Sequence, residues 1–138
     1  MSNEISLTSK LQATKNNQTF TNQVSTKTQN MKTTLDAGHH TTQNVGTSKE
    51  ILSTGDVTLT EEHFVLLYNR DATNYVDVFM RLNVTPTDVQ SGRIRPGECY
   101  GPVRLPVQSG GYPSLWLQAN TAACDVEVVV CEAGDPAA

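Results

Sequence analysis

The sequence predicts an all-β fold: an antiparallel β-sandwich, jelly-roll-like, or a small barrel of about eight short strands, with an extended N-terminal arm. Three observations carry this. Turn-forming clusters such as Thr54-Gly55-Asp56, Asn69 to Asn74, Pro96-Gly97 and Asn120 to Ala123 divide the chain into short segments, spaced at about 8–12 residues. Between them apolar residues alternate with a period of two, as in Val76, Val78, Met80 and Leu82 and again in Val126, Val128 and Val130, which places each set on one face of a strand. No segment shows a capped repeat of 3.6 residues, so helices are not expected.

Composition divides the 138 residues in two. Hydrophobic content is 37% and aromatic content 6%, against about 45–50% apolar in a typical globular chain. The shortfall lies in residues 1–49, where Ser, Thr, Asn and Gln make up over half the segment and large apolar side chains are sparse. We therefore expect residues 1–49 to be a polar arm and linker and residues 50–138 to be the antiparallel β domain. Alone, the arm buries too little to offset an ordering cost of about 1–2 kcal/mol per residue. Its order is expected to come from another protein surface, with Ile5, Leu7, Leu11, Phe20 and Val24 as the contact residues. Charge divides likewise. Up to residue 49 five lysines face two acids, net +3; from residue 50 five arginines face twelve acids, net −7; the two give −4. A basic arm suits an acidic neighbouring body, although solvated surface charge is the plainer account. A pI of about 5.2 without a Lys/Arg cluster argues against nucleic-acid binding. No apolar run approaches the roughly 20 residues of a membrane span, and the N-terminus lacks the pattern of a secretory signal.

In chain order, residues 3–30 read as a thin, two-sided-polar hairpin about Lys15-Asn16-Asn17-Gln18, or as an extended arm. Residues 31–49 read as a linker punctuated by Gly38 and Gly46. Two short strands flank Thr54-Gly55-Asp56. Phe64 to Leu82 reads as a central hairpin: its first arm is apolar at nearly every position, implying burial on both sides, and Asn69 to Asn74 form its turn. Thr85 to Gly92 frame a loop, and Arg93 to Glu98 a strand ending in a Pro-Gly turn. Cys99 to Leu105 form an irregular strand. Leu115 to Ala119 and Cys124 to Cys131 close the domain, with Asp125 and Glu127 facing water. Residues 133–138 should fray.

Few groups suggest chemistry. Cys99, Cys124 and Cys131 form no CxxC, and three free thiols are expected, with pairing of Cys99 to a neighbouring strand's cysteine an alternative. Cys124 and Cys131, seven apart on one strand, face opposite sides and cannot pair with each other. A Cys–His63 couple is disfavoured because Cys124 and Cys131 sit in a Val-rich strand. His39 and His40 are adjacent and point apart, so they do not chelate together. Nucleotide-loop, zinc-protease and hydrolase motifs are absent from the sequence. The expectation is a chain with no enzymatic activity, cofactor or metal. Tyr100, Tyr112 and Trp116, with Arg93, Arg95 and Arg104, are candidates for a glycan- or partner-binding surface, where aromatic rings stack on sugars and arginines clamp acids; a core role for Trp116 is the plainer alternative.

Several segments resemble small virion structural proteins of tailed bacteriophages. Asn44 to Leu52 with Gly55-Asp56-Val57 is similar to their lead-in, Asn69-Arg70-Asp71-Ala72-Thr73-Asn74-Tyr75-Val76 to their N-x-DATNYV turn, Arg95-Pro96-Gly97-Glu98 to their KPGE corner, and Leu117 to Glu127 to their ANTAA closing hairpin. The resemblance covers residues 44–132; Pro102 departs from it, and residues 1–43 share none of it. It implies a head decoration or cement protein, or a neck or tail accessory protein, located in the virion and made in the host cytoplasm. Its partners would be other virion proteins and its own copies, with a trimer favoured, and neither nucleic acid nor membrane.

Overall fold

The organising strand of the molecule, described by a computed structural model, is β7 (His63–Asn69). Residues 4–25, 29–30, 38–55, 57, 59, 61–84 and 87–133 are described. The expected linker over 31–37, the turn residues Asp56, Thr85 and Pro86, and the tail from 134 lie outside them.

Two four-stranded antiparallel sheets face each other, and the β-sandwich is as expected. Sheet I runs in the order β10 (Cys99–Leu105), β7, β12 (Cys124–Glu132), β5 (Gly38–Val45). Sheet II runs in the order β6 (Glu50–Ile51), β11 (Ser114–Ala119), β8 (Val76–Arg81), β9 (Asp88–Ile94). Two ribbons precede the sandwich: β1 (Glu4–Ile5) pairs with β4 (Gln29–Asn30), and β2 (Thr8–Lys15) with β3 (Gln18–Ser25). From β5 to β12 the chain passes from one sheet to the other at every step but one; only β8 and β9 are consecutive strands that pair.

This connectivity corrects the central-hairpin expectation. β7 pairs with β10 and β12, whereas β8 pairs with β9 and β11. The Asn69 to Tyr75 turn therefore arches between sheets rather than joining neighbours. Each strand then turns one face inward: Val65 and Leu67 from β7 meet Val76 and Val78 from β8, with Leu115, Leu117, Val126, Val128 and Val130 beside them, all nearly inaccessible. The last two strands are likewise an arch between sheets. β12 alternates as expected, with Asp125 exposed and Val126, Val128 and Val130 buried, but it is an interior strand, flanked by β7 and β5.

The second half of the expected linker is also a strand. β5 pairs along its whole length with β12, from Val45 opposite Cys124 to Gly38 opposite Cys131, so the β domain begins near residue 38. Val45 enters the core, but its other inward positions are polar, and Gln43 fits there by joining the sheets: its amide donates to Glu50 Oε1 at 2.9 Å and Ile51 O at 3.0 Å, and its Oε1 accepts from Ser53 N at 2.8 Å. Gly55, Val57 and Leu59 belong to no strand, and Val57 is buried in the core instead. The loop expected through Gln90-Ser91-Gly92 is strand β9, with a bulge opposite Val78 and Phe79 that absorbs the misfit. β10 is irregular as predicted, its register shifting between Tyr100 and Val103.

Candidate functional site

The β2–β3 ribbon is built from eight cross-strand pairs, Thr8 with Ser25 through Lys15 with Gln18. Asn16 and Asn17 close it at φ 51° and 64°. A two-residue loop with both residues left-handed matches the twist of the strands, and Asn tolerates that backbone. The turn fixes the register, and the register sorts the side chains. Leu11, Ala13 and Phe20 fall on one face, among Ser9, Lys15, Gln18 and Asn22, with Val24 at the register position opposite Ser9; Lys10, Gln12, Thr14, Thr19, Thr21 and Gln23 fall on the other, which has no apolar residue. The ribbon is thus amphipathic, which corrects the two-sided-polar expectation. Among the described residues nothing covers its apolar face: Leu11 is 78% and Phe20 64% exposed.

The base of the arm is different. Ile5 is buried against Phe64 and Ala133, with Leu7 and Cys131 packed beside them. The expectation that all five arm residues need a foreign surface is therefore corrected: Ile5 and Leu7 pack on their own body, while Leu11 and Phe20 do not. Where the arm leaves the body, a groove of about 470 Å3 opens between it and the outer face of sheet I, lined by Ile5, Leu7, Leu66, Pro102 and Val129 among others. Arg104 borders this region, its guanidinium 5.1 Å from the Phe64 ring centre and ion-paired with Glu62.

The residues expected to form a glycan or partner surface do not meet. Arg104 lies outward on sheet I, with β10 paired to β7, whereas Trp116 and Arg93 lie outward on sheet II. Tyr100 packs against the core and its hydroxyl lies 3.2 Å from Ser91 Oγ. Tyr112 sits in the loop before β11, its backbone paired with Ser109, and Arg95 is exposed beyond β9.

The outer face of sheet II is instead covered by its own cations. The Arg81 guanidinium lies 4.0 Å from the Trp116 ring centre, Lys49 Nζ 4.0 Å from Phe79 and Arg93 3.9 Å from Tyr75. Arg81 donates to both oxygens of Asp88, at 2.7 and 3.1 Å, and Lys49 shares Asp88 at 2.9 Å. Arg93 is held in the same way by Asp77 at 2.7 and 3.2 Å. Bonds from Arg81 and then Lys49 hold the Asp88 carboxyl well below the usual carboxylate range. Of the three rings expected to stack on a sugar, Trp116 already carries a tethered cation, Arg81.

The remaining titratable groups are spread out. His39 turns inward with its ring against Gly55, and His40 turns outward to Glu127 Oε1 at 3.1 Å, so the two point apart as predicted. Asp125 accepts from Asn44 at 2.9 Å. His63 and Glu132, paired across β7 and β12, are both buried at one end of the sandwich. Burial lowers the His63 pKa, against smaller opposing effects of the Glu61 carbonyl and the Glu132 charge. All three cysteines are free; burial raises the pKa of Cys124 and Cys131. Among the described residues no group of three or more His, Cys, Asp or Glu is placed to hold a metal.

The segments that carry the phage resemblance converge at one end of the sandwich. Asn69, fully buried, donates from Nδ2 to Asn74 O at 2.9 Å and Ile94 O at 3.0 Å, and accepts at Oδ1 from Asp71 N at 2.9 Å. Its backbone N–H donates to Glu98 O, and its carbonyl accepts from Gly97 N, both at 3.0 Å. Asp71 caps the turn through Thr73 N and Asn74 N, bonds that lower its pKa, Asn74 first. Tyr75 N donates to Asn120 Oδ1 at 3.1 Å, and Thr121 Oγ1 to Asn74 Oδ1 at 2.6 Å. Three separated motifs form one knot of loop hydrogen bonds, a role for Asn69 and Asn120 that sequence reading missed beyond the Asx-turn pattern. Compared with protein-family models, curated proteins and solved structures, the chain has no match.

Proposed function

We propose that this chain is a non-enzymatic structural component of a bacteriophage virion, decorating or cementing the capsid through contacts made by its arm. One observation carries the reading: an amphipathic ribbon with Leu11 and Phe20 held out in water, on a sandwich whose core is complete without it. A two-stranded ribbon is marginal on its own in water, and exposed apolar faces mark association sites. Two further features support it. The motifs at Asn69, Arg95 and Leu117 resemble those of phage structural proteins. The two sheets interleave first-eighth-third-sixth and second-seventh-fourth-fifth when β5 to β12 are counted from one, an order we read as a jelly roll, an architecture shared by viral capsid and lectin domains. Fold analogy alone carries no function, so the ribbon bears the argument. The cation-covered rings of sheet II argue against the glycan-binding alternative.

The test is co-sedimentation of the purified protein with phage capsids and, separately, with tails. Saturable binding to capsids that is lost in Leu11→Asp/Phe20→Asp supports decoration. Binding to tails alone moves the chain to the neck or tail, and binding to neither overturns the reading.

A further inference from the structure

We infer that the open edge of β5 pairs antiparallel with the same edge of a second copy, about a two-fold axis at Thr41, so that two copies of sheet I join into one continuous sheet. This contact is independent of the virion reading, and the ribbon plays no part in it.

β5 lies at the end of sheet I and is paired on one side only, with β12 along its full length. The ladder shows which of its backbone groups are used. Arg70 N donates to Asp125 O, and Ala133 N to Glu62 O, so the odd-numbered residues of β12 direct N–H and C=O to β7. The even-numbered ones, Cys124 to Val130, therefore direct theirs to β5. Opposite them stand Val45, Gln43, Thr41 and His39. Gly38, His40, Thr42 and Asn44 then direct N–H and C=O away from β12, and among the described residues these groups are unbonded.

The other three sheet edges are guarded. β6 has only two residues. β9 carries a bulge and the charges of Asp88 and Arg93. β10 carries Pro102 inside a register shift. Short length, bulges, charge and proline are the devices that keep edges from pairing. β5 has none of them. Its eight residues run in continuous register and include no Pro, Lys, Arg, Asp or Glu.

A second copy fits this edge. Opposed residues share a sheet face, so a two-fold axis between the strands passes through a residue rather than between two. At Thr41 it sets Gly38 opposite Asn44 and His40 opposite Thr42, and each of the unbonded groups on those residues finds a partner. Thr41 meets Thr41 of the second copy, a favourable cross-strand pair, and His39 meets Gln43. Without charged side chains along β5, two copies meet with no like charges opposed. The contact is isologous and stops at two copies. About 27 Å of strand buries a few hundred Å2 per copy, short of the roughly 800 Å2 per partner of a stable interface. The dimer is therefore weak, and its uncharged bonds make it insensitive to salt.

Sedimentation equilibrium of the full chain from about 1 μM to 1 mM, with amide hydrogen exchange at both ends of that range, tests this. The wild type should pass from monomer to dimer, its association constant changing by less than about twofold between low and high salt. In dilute protein the amides of His40, Thr42 and Asn44 should exchange freely while those of His39, Thr41 and Gln43 are protected. At high concentration both sets should be protected. Thr42→Pro removes an edge N–H without touching the ladder to β12. It should weaken the dimer at least about tenfold in a protein that still unfolds cooperatively; His40→Pro takes its place if that variant fails to fold. A wild type that stays monomeric, a trimer, a dimer that the proline variant leaves intact, or edge amides already protected in dilute protein overturns the inference.

Discussion

The β2–β3 ribbon and the β7–β12 pair are built from the same backbone chemistry and differ in what covers them. Both are antiparallel ladders, eight pairs in one and seven in the other. Leu67, in β7, is fully buried, whereas Leu11, in β2, is 78% exposed. Interstrand hydrogen bonds exchange for bonds to water and contribute little net. Fully burying a leucine contributes about 1.5–3 kcal/mol. The sandwich collects that term from both sheets at once; the ribbon collects it only at its base, where Ile5 meets Phe64 and Ala133.

The largest test of this contrast is a pair of truncations. Leu67→Ala should lower unfolding free energy by about 2–5 kcal/mol, and Leu11→Ala, in dilute protein, by less than about 0.5 kcal/mol. Denaturant titration of both variants would abolish the distinction if the two losses matched. Asn69→Ala removes the side-chain donor to the Ile94 and Asn74 carbonyls, at about 1–3 kcal/mol, and should show in the same titration. Ile5→Ala removes the ribbon's anchor. Hydrogen exchange should then report β2 and β3 opening more readily by up to about 2 kcal/mol, while exchange in β7 and β12 stays as it was. The smallest effect concerns acid. The His63 pKa is lowered in the folded state, so the unfolded chain takes up the proton more readily. Stability should hold at neutral pH and fall as pH drops through about 6.5, the unfolded value. His63→Gln should flatten that limb of a pH series of melting temperatures.

Much of this contrast was legible in the residues. The Val126, Val128, Val130 alternation placed β12, and the apolar run of β7 implied cover on both faces, which Ile5 supplies over Phe64. The Asn16-Asn17 turn was visible too. What failed were non-local properties. Whether a six-residue turn joins neighbours or arches between sheets depends on strands far along the chain, so β7 and β8 read as a hairpin. β5 escaped notice because Val45 is its one apolar inward residue; His39, Thr41 and Gln43 precede it, accepted through the Gln43 bonds to residues 50–53. The ribbon's single apolar face appears only after the register sets Phe20 opposite Ala13 and Leu11 opposite Asn22. Trp116 read as a sugar platform because nothing local shows that Arg81, 35 positions earlier, lies over its ring.

The knot around Asn69 sets which part of the molecule tolerates change. It stands at the last residue of β7, while the arm is fastened near the first, at Phe64. The residues of the knot are occupied with holding loops together, so the arm can be exchanged without disturbing them. The end that closes the sandwich and the end that carries the arm are thus separate, and one can change while the other stays as it is.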